Sequence, residues 1–300
     1  MKATTFVLSF FLFFATYFAH AQDLSFFKKS DTLNIKRKNT IFITESILAG
    51  GTLFALNELW YKDYERTTFQ FKNDNSDWQQ MDKAGHFMTA YSIGRIGMDV
   101  LDWGGISKKN QLIYGATLGF TFLSAVEILD GFSKEWGASI GDIMANAAGT
   151  GFFIGQELIW KEQRITVKYS FHQTNFAKQR PNILGKSFLE QSLKDYNGQT
   201  YWLSANIWSF YKKSTVPKWL NLAFGYGAEG MLYGEIKTTN PIPQDPYRQF
   251  YLSLDIDLTK VNTNSKFLKS VFSVINFIKI PSPTLEINTK RQLKFHYLYF

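Results

Sequence analysis

Residues 138–160 have the sequence ASIGDIMANAAGTGFFIGQELIW, in which apolar and small residues run for about six helical turns. Residues 247–258, YRQFYLSLDIDL, instead alternate, with Leu or Ile at positions 252, 254, 256 and 258. Long apolar runs of this length indicate helices, whereas alternation indicates strands. The change of pattern falls after Arg164, so the sequence predicts an α+β fold with the helices first.

The helical part contains four predicted segments, at residues 40–59, 82–101, 111–129 and 138–160. Small residues recur in them at four-residue spacing: Gly115 with Gly119, Gly151 with Gly155, and the series Gly141, Ala145, Gly149. Such spacing lets helix backbones approach closely, as in membrane bundles. We therefore predict a membrane-associated bundle of about four helices. The alternative is a tight soluble bundle, which would use the same spacing.

The second half contains about six predicted strands, at 165–172, 201–210, 220–233, 247–258, 285–287 and 293–300, with an amphipathic helix at 267–277. The chain ends on an alternating strand with a terminal aromatic, Phe300, which resembles the end of outer-membrane barrel proteins. Bacterial single-chain barrels have about eight strands or more. We therefore expect an antiparallel β-rich region that forms either an open sheet or a partial barrel.

The start of the chain has the pattern of an export signal. Lys2 precedes an apolar run at 6–18, and Ala19-His20-Ala21 follows it as a cleavage site. The predicted organisation is a signal peptide at 1–21, a basic linker at 22–39, a helical domain at 40–163 and a β-rich domain at 164–300. The alternative is an uncleaved first anchor, although the run is short for a span.

The absence of cysteine and the distribution of charge limit the kinds of site and of binding partner that the chain can have. The chain has no cysteine, which excludes disulfides, thiolate metal sites and a lipidated cysteine within these residues. Its net charge of +8 comes from scattered residues without any nucleic-acid-binding signature. We expect membrane lipid as a partner, together with a second envelope protein, and no nucleic acid.

Charge and export give conflicting topologies if the helices cross the inner membrane. The basic segments at 28–38, 108–109 and 161–164 would share the cytoplasmic side. A cleaved signal peptide would place the chain from residue 22 onward on the outside. We therefore favour an exported protein at the outer membrane or the periplasmic face of the envelope. The alternative is a polytopic inner-membrane protein.

Polar residues concentrate at one predicted end of the helices. Asp82 and His86 share a face at the start of the second helix, while Glu127 and Asp142 lie at the end of the third and the start of the fourth. Helices joined by short connections run antiparallel, so these ends should meet. The further members of the predicted polar cluster are Lys83, Tyr91, Arg95, Asp130, Trp136, Ser139 and Asn146.

This cluster has two interpretations. Asp82, His86, Glu127 and Asp142 are candidate catalytic residues, with His86 as a general base oriented by Asp82 or Glu127. His86, Glu127 and Asp142 could instead hold a divalent cation, a loose pattern of one imidazole and carboxylates. In the structural interpretation, Ser139 and Asp142 form a capping box, and Lys83 pairs with Glu127 or Asp130. No cofactor is identified by any motif.

The pattern Asp82-Lys83-x2-His86-Phe87, Glu127, Asp142-x3-Asn146-x2-Gly149 resembles the VanZ-like pattern of small membrane proteins. With Tyr91, Arg95, Asp130-Gly131-Phe132 and Trp136-Gly137 included, it more closely resembles the YfiM-like family of periplasmic lipoproteins, a domain of unknown function. The resemblance covers residues 40–160. It implies an envelope location and a helical membrane-associated domain, and no established activity.

The sequence thus predicts a cell-envelope, membrane-associated protein that is structural or binding in function. The alternative is an enzyme that acts on lipid or cell wall through the polar cluster. Whether the chain is an enzyme stays open at this point.

Overall fold

The computed structural model describes residues 26–300 apart from 63, 214 and 238. The predicted signal peptide at 1–21 lies outside the described residues. Long helices occupy the first half of the described chain, and a six-stranded antiparallel sheet occupies the second half. This arrangement confirms the predicted α+β class.

Four long helices form the first half: α1 (Ile35–Leu56), α2 (Met81–Trp103), α3 (Lys108–Gly131) and α4 (Ile140–Ile159). A π-helical stretch, Asn57–Tyr61, continues α1, a second one, Gln111–Gly115, lies inside α3, and a 3-10 turn, Asp77–Gln80, precedes α2. Residues 35–39 of the predicted linker are helical, because Asn34 caps α1 by accepting from Arg37 N. In the described part of the chain, α1 and α3 are long and apolar enough to cross a membrane.

Helices α3 and α4 both pack against α2 at close distance, and glycines make this approach feasible. A Cβ added to Gly119 would lie 2.2 Å from Ala90 O in α2, and one added to Gly149 would lie 2.1 Å from Phe87 O. Nothing lies within 4 Å of the Cβ positions of Gly151 and Gly155. The predicted close approach is therefore confirmed for the 115–119 pair and for Gly149. It is wrong for the 151–155 pair, because no other helix among the described residues meets that face of α4.

The sheet contains β1 (Ile165–Phe171), β2 (Gln199–Asn206), β3 (Leu220–Glu229), β4 (Tyr247–Ile256), β5 (Ser282–Asn288) and β6 (Leu293–Tyr299). The strands follow one another in order, with β1 and β6 at the two edges, so the sheet is open. The predicted strand at 201–210 ends early, since Asn206 accepts from Ser209 N and starts a short helix, Ile207–Phe210. Further short helices are Phe176–Gln179, Pro181–Leu184 and Phe188–Lys194, and the amphipathic helix predicted at 267–277 is α5 (Lys266–Ile275).

The two faces of the sheet have an unusual distribution of polarity. The inner face buries polar and charged side chains, including the fully buried ion pair of Lys168 with Asp255 (2.8 Å) and the buried carboxylate of Glu286, which lies 2.8 Å from Nε2 of the partly exposed His296. On the outer face, directly paired residues of β2 to β6 form one apolar row, in which every side chain is 40% to 58% exposed: Leu203, Phe224, Leu252, Leu285 and Phe295. The apolar face of this sheet is therefore the exposed one.

Candidate functional site

The structure brings the ends of three helices together, as the antiparallel arrangement predicts. Asp82, Lys83 and His86 lie in the first two turns of α2, and Glu127 lies in the last turn of α3. Asp142 lies in the first turn of α4. Their side chains meet at one end of the packed helices, beside the apolar cluster of Tyr91, Met98, Ala116 and Phe153.

His86 is the centre of the site. Its Nδ1 donates to Asn146 Oδ1 (3.0 Å), since an amide oxygen can only accept. Its Nε2 faces three carboxylate oxygens: Asp82 Oδ1 at 3.9 Å, Glu127 Oε1 at 3.7 Å and Asp142 Oδ1 at 3.9 Å. These separations are too long for hydrogen bonds. The imidazole is thus oriented by Asn146 toward a small space that carboxylates surround.

Lys83 joins a different set of carboxylates from the ones predicted. Its Nζ lies 2.7 Å from Asp74 Oδ2, 3.2 Å from Asp82 Oδ2 and 3.0 Å from Asp142 Oδ1. The expected pairing with Glu127 or Asp130 is wrong, because Lys83 projects from the first turn of α2 toward the start of α4. The Lys83 ammonium therefore pairs with a carboxylate of the loop before α2 and with one at the start of α4.

The start of α4 is capped in a way that uses Glu127. Ser139 Oγ accepts from Asp142 N (3.1 Å), which confirms half of the predicted capping box. The other half differs, because Ser139 N donates to Glu127 Oε2 (2.9 Å) instead of to Asp142. The Asp142 carboxylate therefore does not cap the helix and faces the site instead. Glu127 of α3 is the acceptor for Ser139 N.

Burial and mutual repulsion shape the electrostatics of the site. Burial raises the pKa of the Glu127 carboxyl, and burial together with the Asp82 charge raises the pKa of Asp142. For His86, burial opposes protonation, but the charges of Asp82, Asp142 and Glu127 outweigh it and raise its pKa. All of these shifts favour the less negative form of the site, and burial is the largest cause for the two carboxyl groups.

The cluster forms one wall of a cavity of about 710 Å³. Trp136 and Asp130 also line it, and Tyr61 donates from its hydroxyl to Asp130 Oδ1 (2.7 Å). The Trp136 ring packs edge-on against Tyr61 and Tyr64. The cavity therefore combines aromatic walls with an acidic floor, which is typical of a small-molecule site.

Two residues of the predicted cluster lie elsewhere. Tyr91 is buried in the helical core, where its hydroxyl donates to Gln163 Oε1 (3.2 Å). Arg95 donates to the backbone oxygen of Ser273 in α5 (3.0 Å) and lies 3.9 Å from Asp99. Tyr91 and Arg95 connect the helices to the β-rich half and do not line the cavity.

The sequence pattern missed several residues that complete the site. Asp74 comes from the loop before α2, and it accepts from Ser139 Oγ (2.6 Å) besides pairing with Lys83. Tyr196, more than a hundred residues further on, donates to Asp82 Oδ1 (2.9 Å). No periodicity relates these residues to the helices, so only the tertiary structure identifies them.

The comparison with protein families found a match within the helical part of the chain. Residues 70–155 match the family described as "Predicted periplasmic lipoprotein (DUF2279)". The matched segment covers α2, α3, most of α4 and the site residues on these helices, and it ends before the sheet. No curated protein and no solved structure matches the chain.

The family match confirms the coarser part of the resemblance drawn from the motifs, namely a periplasmic lipoprotein family of unknown function. It supports an exported protein of the periplasmic envelope with no known activity. The similarity to the YfiM-like family and to the VanZ-like pattern stays a prediction. The chain departs from the family's description in one respect, because its 300 residues contain no cysteine to carry a lipid.

Proposed function

We propose that this protein is a non-enzymatic envelope protein that is held in the outer membrane by an apolar surface, with the acidic cavity as its binding site. The single observation that carries this proposal is the reversed polarity of the sheet. A soluble antiparallel sheet packs its apolar face on the core and exposes its polar face. Strands with apolar residues outside and polar residues inside are the pattern of outer-membrane proteins.

Continuity of the apolar surface supports lipid over a protein partner. Only 6% of the most apolar window of α1 is buried, and Ile47 and Phe54 are each more than 60% exposed. On α4, Met144 and Ile159 are similarly exposed. Exposed apolar side chains therefore occur on both halves of the described chain, and large exposed apolar patches mark interaction or membrane surfaces.

A charge placed on the outer face of the sheet tests this proposal. Leu252→Glu puts a carboxylate at the centre of the apolar row, whereas Thr239→Glu adds the same charge at an exposed turn. We expect Leu252→Glu to lose affinity for lipid vesicles, by about 1–2 kcal/mol, since a carboxylate costs less in lipid than the 2–4 kcal/mol of a lysine or arginine. The measurement is flotation of purified protein with vesicles of phosphatidylethanolamine and phosphatidylglycerol.

Localisation provides the second test. Carbonate-washed inner and outer membranes are separated on a density gradient, and the N-terminus of the untagged protein is determined by mass spectrometry. Outer-membrane protein that begins at Gln22 is the expected result. Inner-membrane protein that retains Met1, or flotation of Leu252→Glu equal to that of wild type, would refute the proposal.

An enzyme acting on lipid or cell wall is the second candidate function, and the cavity is the observation that favours it. His86 and the acidic groups face a space large enough for a headgroup or a sugar. The test is incubation of the purified protein with radiolabelled envelope lipid and with isolated peptidoglycan. Products formed by wild type and not by a folded Asp142→Asn variant would establish the enzyme. No product from either substrate would favour the binding function.

A further inference from the structure

The space in front of His86 Nε2 is surrounded by groups that can only accept. Asn146 fixes the Nδ1 proton, so neutral His86 presents a lone pair at Nε2. That lone pair points at Asp82 Oδ1, Glu127 Oε1 and Asp142 Oδ1, which are acceptors as carboxylates. Tyr196 donates to Asp82 Oδ1 (2.9 Å) and Lys83 Nζ lies 3.0 Å from Asp142 Oδ1, yet three carboxylates and the Nε2 lone pair still converge on one space, and this arrangement attracts a cation.

A buried oxygen without a hydrogen bond supports the same conclusion independently. Asp142 is 97% buried, and in the described part of the chain its Oδ1 accepts no hydrogen bond. Lys83 Nζ lies 3.0 Å from this atom, but its hydrogen bond is directed at Oδ2 (3.1 Å). The Lys83 charge stabilises this carboxylate, but a buried acceptor without a hydrogen bond still has a cost in free energy. The oxygen faces the space before His86.

The charge balance also favours a cation. Five carboxyl groups lie at this end of the helices: Asp74, Asp82, Glu127, Asp130 and Asp142. Lys83 is already shared among Asp74, Asp82 and Asp142. A protonated His86 would add one further charge, but its Nε2 is too far from all three oxygens to donate a hydrogen bond. A divalent ion would offset two of the surplus negative charges and could bind all four atoms.

We propose that Asp82, His86, Asp142 and Glu127 bind a divalent first-row transition-metal ion, Mn²⁺ or Zn²⁺. One imidazole with several carboxylates suits these ions better than Mg²⁺ or Ca²⁺, which prefer oxygen alone. Donor atoms of Asp82, His86 and Asp142 lie within 4.8 Å of one another. Two ligands bound at about 2.1 Å to one ion stand about 3.0–4.2 Å apart, so small side-chain rotations close the site.

The surrounding contacts resemble the outer shell of a metal site. A metal-bound histidine usually donates its other ring N–H to an acceptor, as His86 does to Asn146. Ligating carboxylates are themselves hydrogen-bonded, and Asp82 accepts from Tyr196 while Glu127 accepts from Ser139 N. The cavity in front of the cluster leaves one side of the ion open to a ligand.

Metal titration of the purified full-length protein tests this proposal. The protein is treated with a chelator in detergent and then titrated with MnCl₂ or ZnCl₂ by calorimetry, with metal analysis after desalting. We expect one equivalent per chain with a micromolar or lower Kd. Asp142→Asn and His86→Gln should weaken binding about 100-fold or more, whereas Asp99→Asn, an acid on the same helix outside the site, should leave it unchanged.

Spectroscopy keeps the test decisive if a variant fails to fold. The Mn²⁺-loaded wild-type protein should show hyperfine coupling to one imidazole nitrogen by pulsed electron paramagnetic resonance. Labelling with ¹⁵N-histidine should change this coupling from that of ¹⁴N to that of ¹⁵N. Absence of that coupling, or of stoichiometric binding of either ion, would overturn the proposal. Since the titration is performed in detergent, its outcome does not depend on where the protein resides in the envelope.

Discussion

Two glycines in the same helix provide the sharpest test of how the site is held together. Gly149 lies against α2, where an added Cβ would meet Phe87 O at 2.1 Å, Phe87 C at 2.9 Å and Phe87 Cα at 3.1 Å. Ordinary contact begins at 3.4 Å, and a backbone oxygen inside a helix cannot rotate away. Gly149→Ala therefore forces α2 and α4 apart by roughly 1 Å, against the close packing of the interior.

The expected loss of stability follows from this displacement. Overpacking of a close-packed interface costs about 1–3 kcal/mol, and a backbone clash lies at the upper end. Gly151→Ala meets nothing within 4 Å, so the variant should gain about 0.5–1 kcal/mol from helix propensity alone. The same propensity gain applies to Gly149→Ala, so the two alanine variants should differ by the overpacking cost alone, about 2–3 kcal/mol in the free energy of unfolding.

Guanidinium unfolding in detergent, followed by tryptophan fluorescence, measures this difference. Phe87 neighbours His86, and Asn146 lies one turn before Gly149, so Gly149→Ala should also weaken metal binding while Gly151→Ala should not. Equal shifts of stability in both variants would refute the inferred contact between α2 and α4.

Two further predictions concern charged groups. Lys168→Met should cost about 3–5 kcal/mol, because it leaves the Asp255 carboxylate buried without its partner, and the double variant with Asp255→Leu should recover most of that loss. Denaturation of the single and double variants measures this, and a single-variant loss below about 1 kcal/mol would contradict it. Asp74→Asn should cost about 1 kcal/mol at pH 7, since hydrogen bonds from Lys83 and Ser139 outweigh burial and lower the Asp74 pKa below its ordinary 3.8. That contribution is complete above pH 3.8 and disappears as the pH falls through the lower, folded pKa, so stability curves of wild type and variant should converge in acid and stay apart at neutral pH.

Much of the site could be predicted from the helical segments alone. Short connections make α2, α3 and α4 antiparallel, which suffices to bring His86, Glu127 and Asp142 to one end. The partners of Lys83 could not be predicted this way. They depend on a loop residue, Asp74, whose position is set by the packing of the loop against α4 and not by any repeat.

The same limit applies to the glycines. Four-residue spacing marks a face of small residues, and it is identical for the 115–119 and 151–155 pairs. Only the first pair meets another helix, because which side of a helix is covered depends on where its neighbours lie. Spacing predicts that two helices can approach closely, and the tertiary structure decides which ones do.

The sequence by itself determined the α+β class, the order of helices and strands, and the polar cluster, because hydrophobic period and chain order are local properties. It did not determine which face of the sheet is exposed. Alternation states that Leu252 and Leu254 share one face, yet it is equally compatible with that face pointing inward or outward. The tertiary structure decided this, since Lys168 pairs with Asp255 and Glu286 pairs with His296 on the inner side of the sheet, which leaves the apolar face outside.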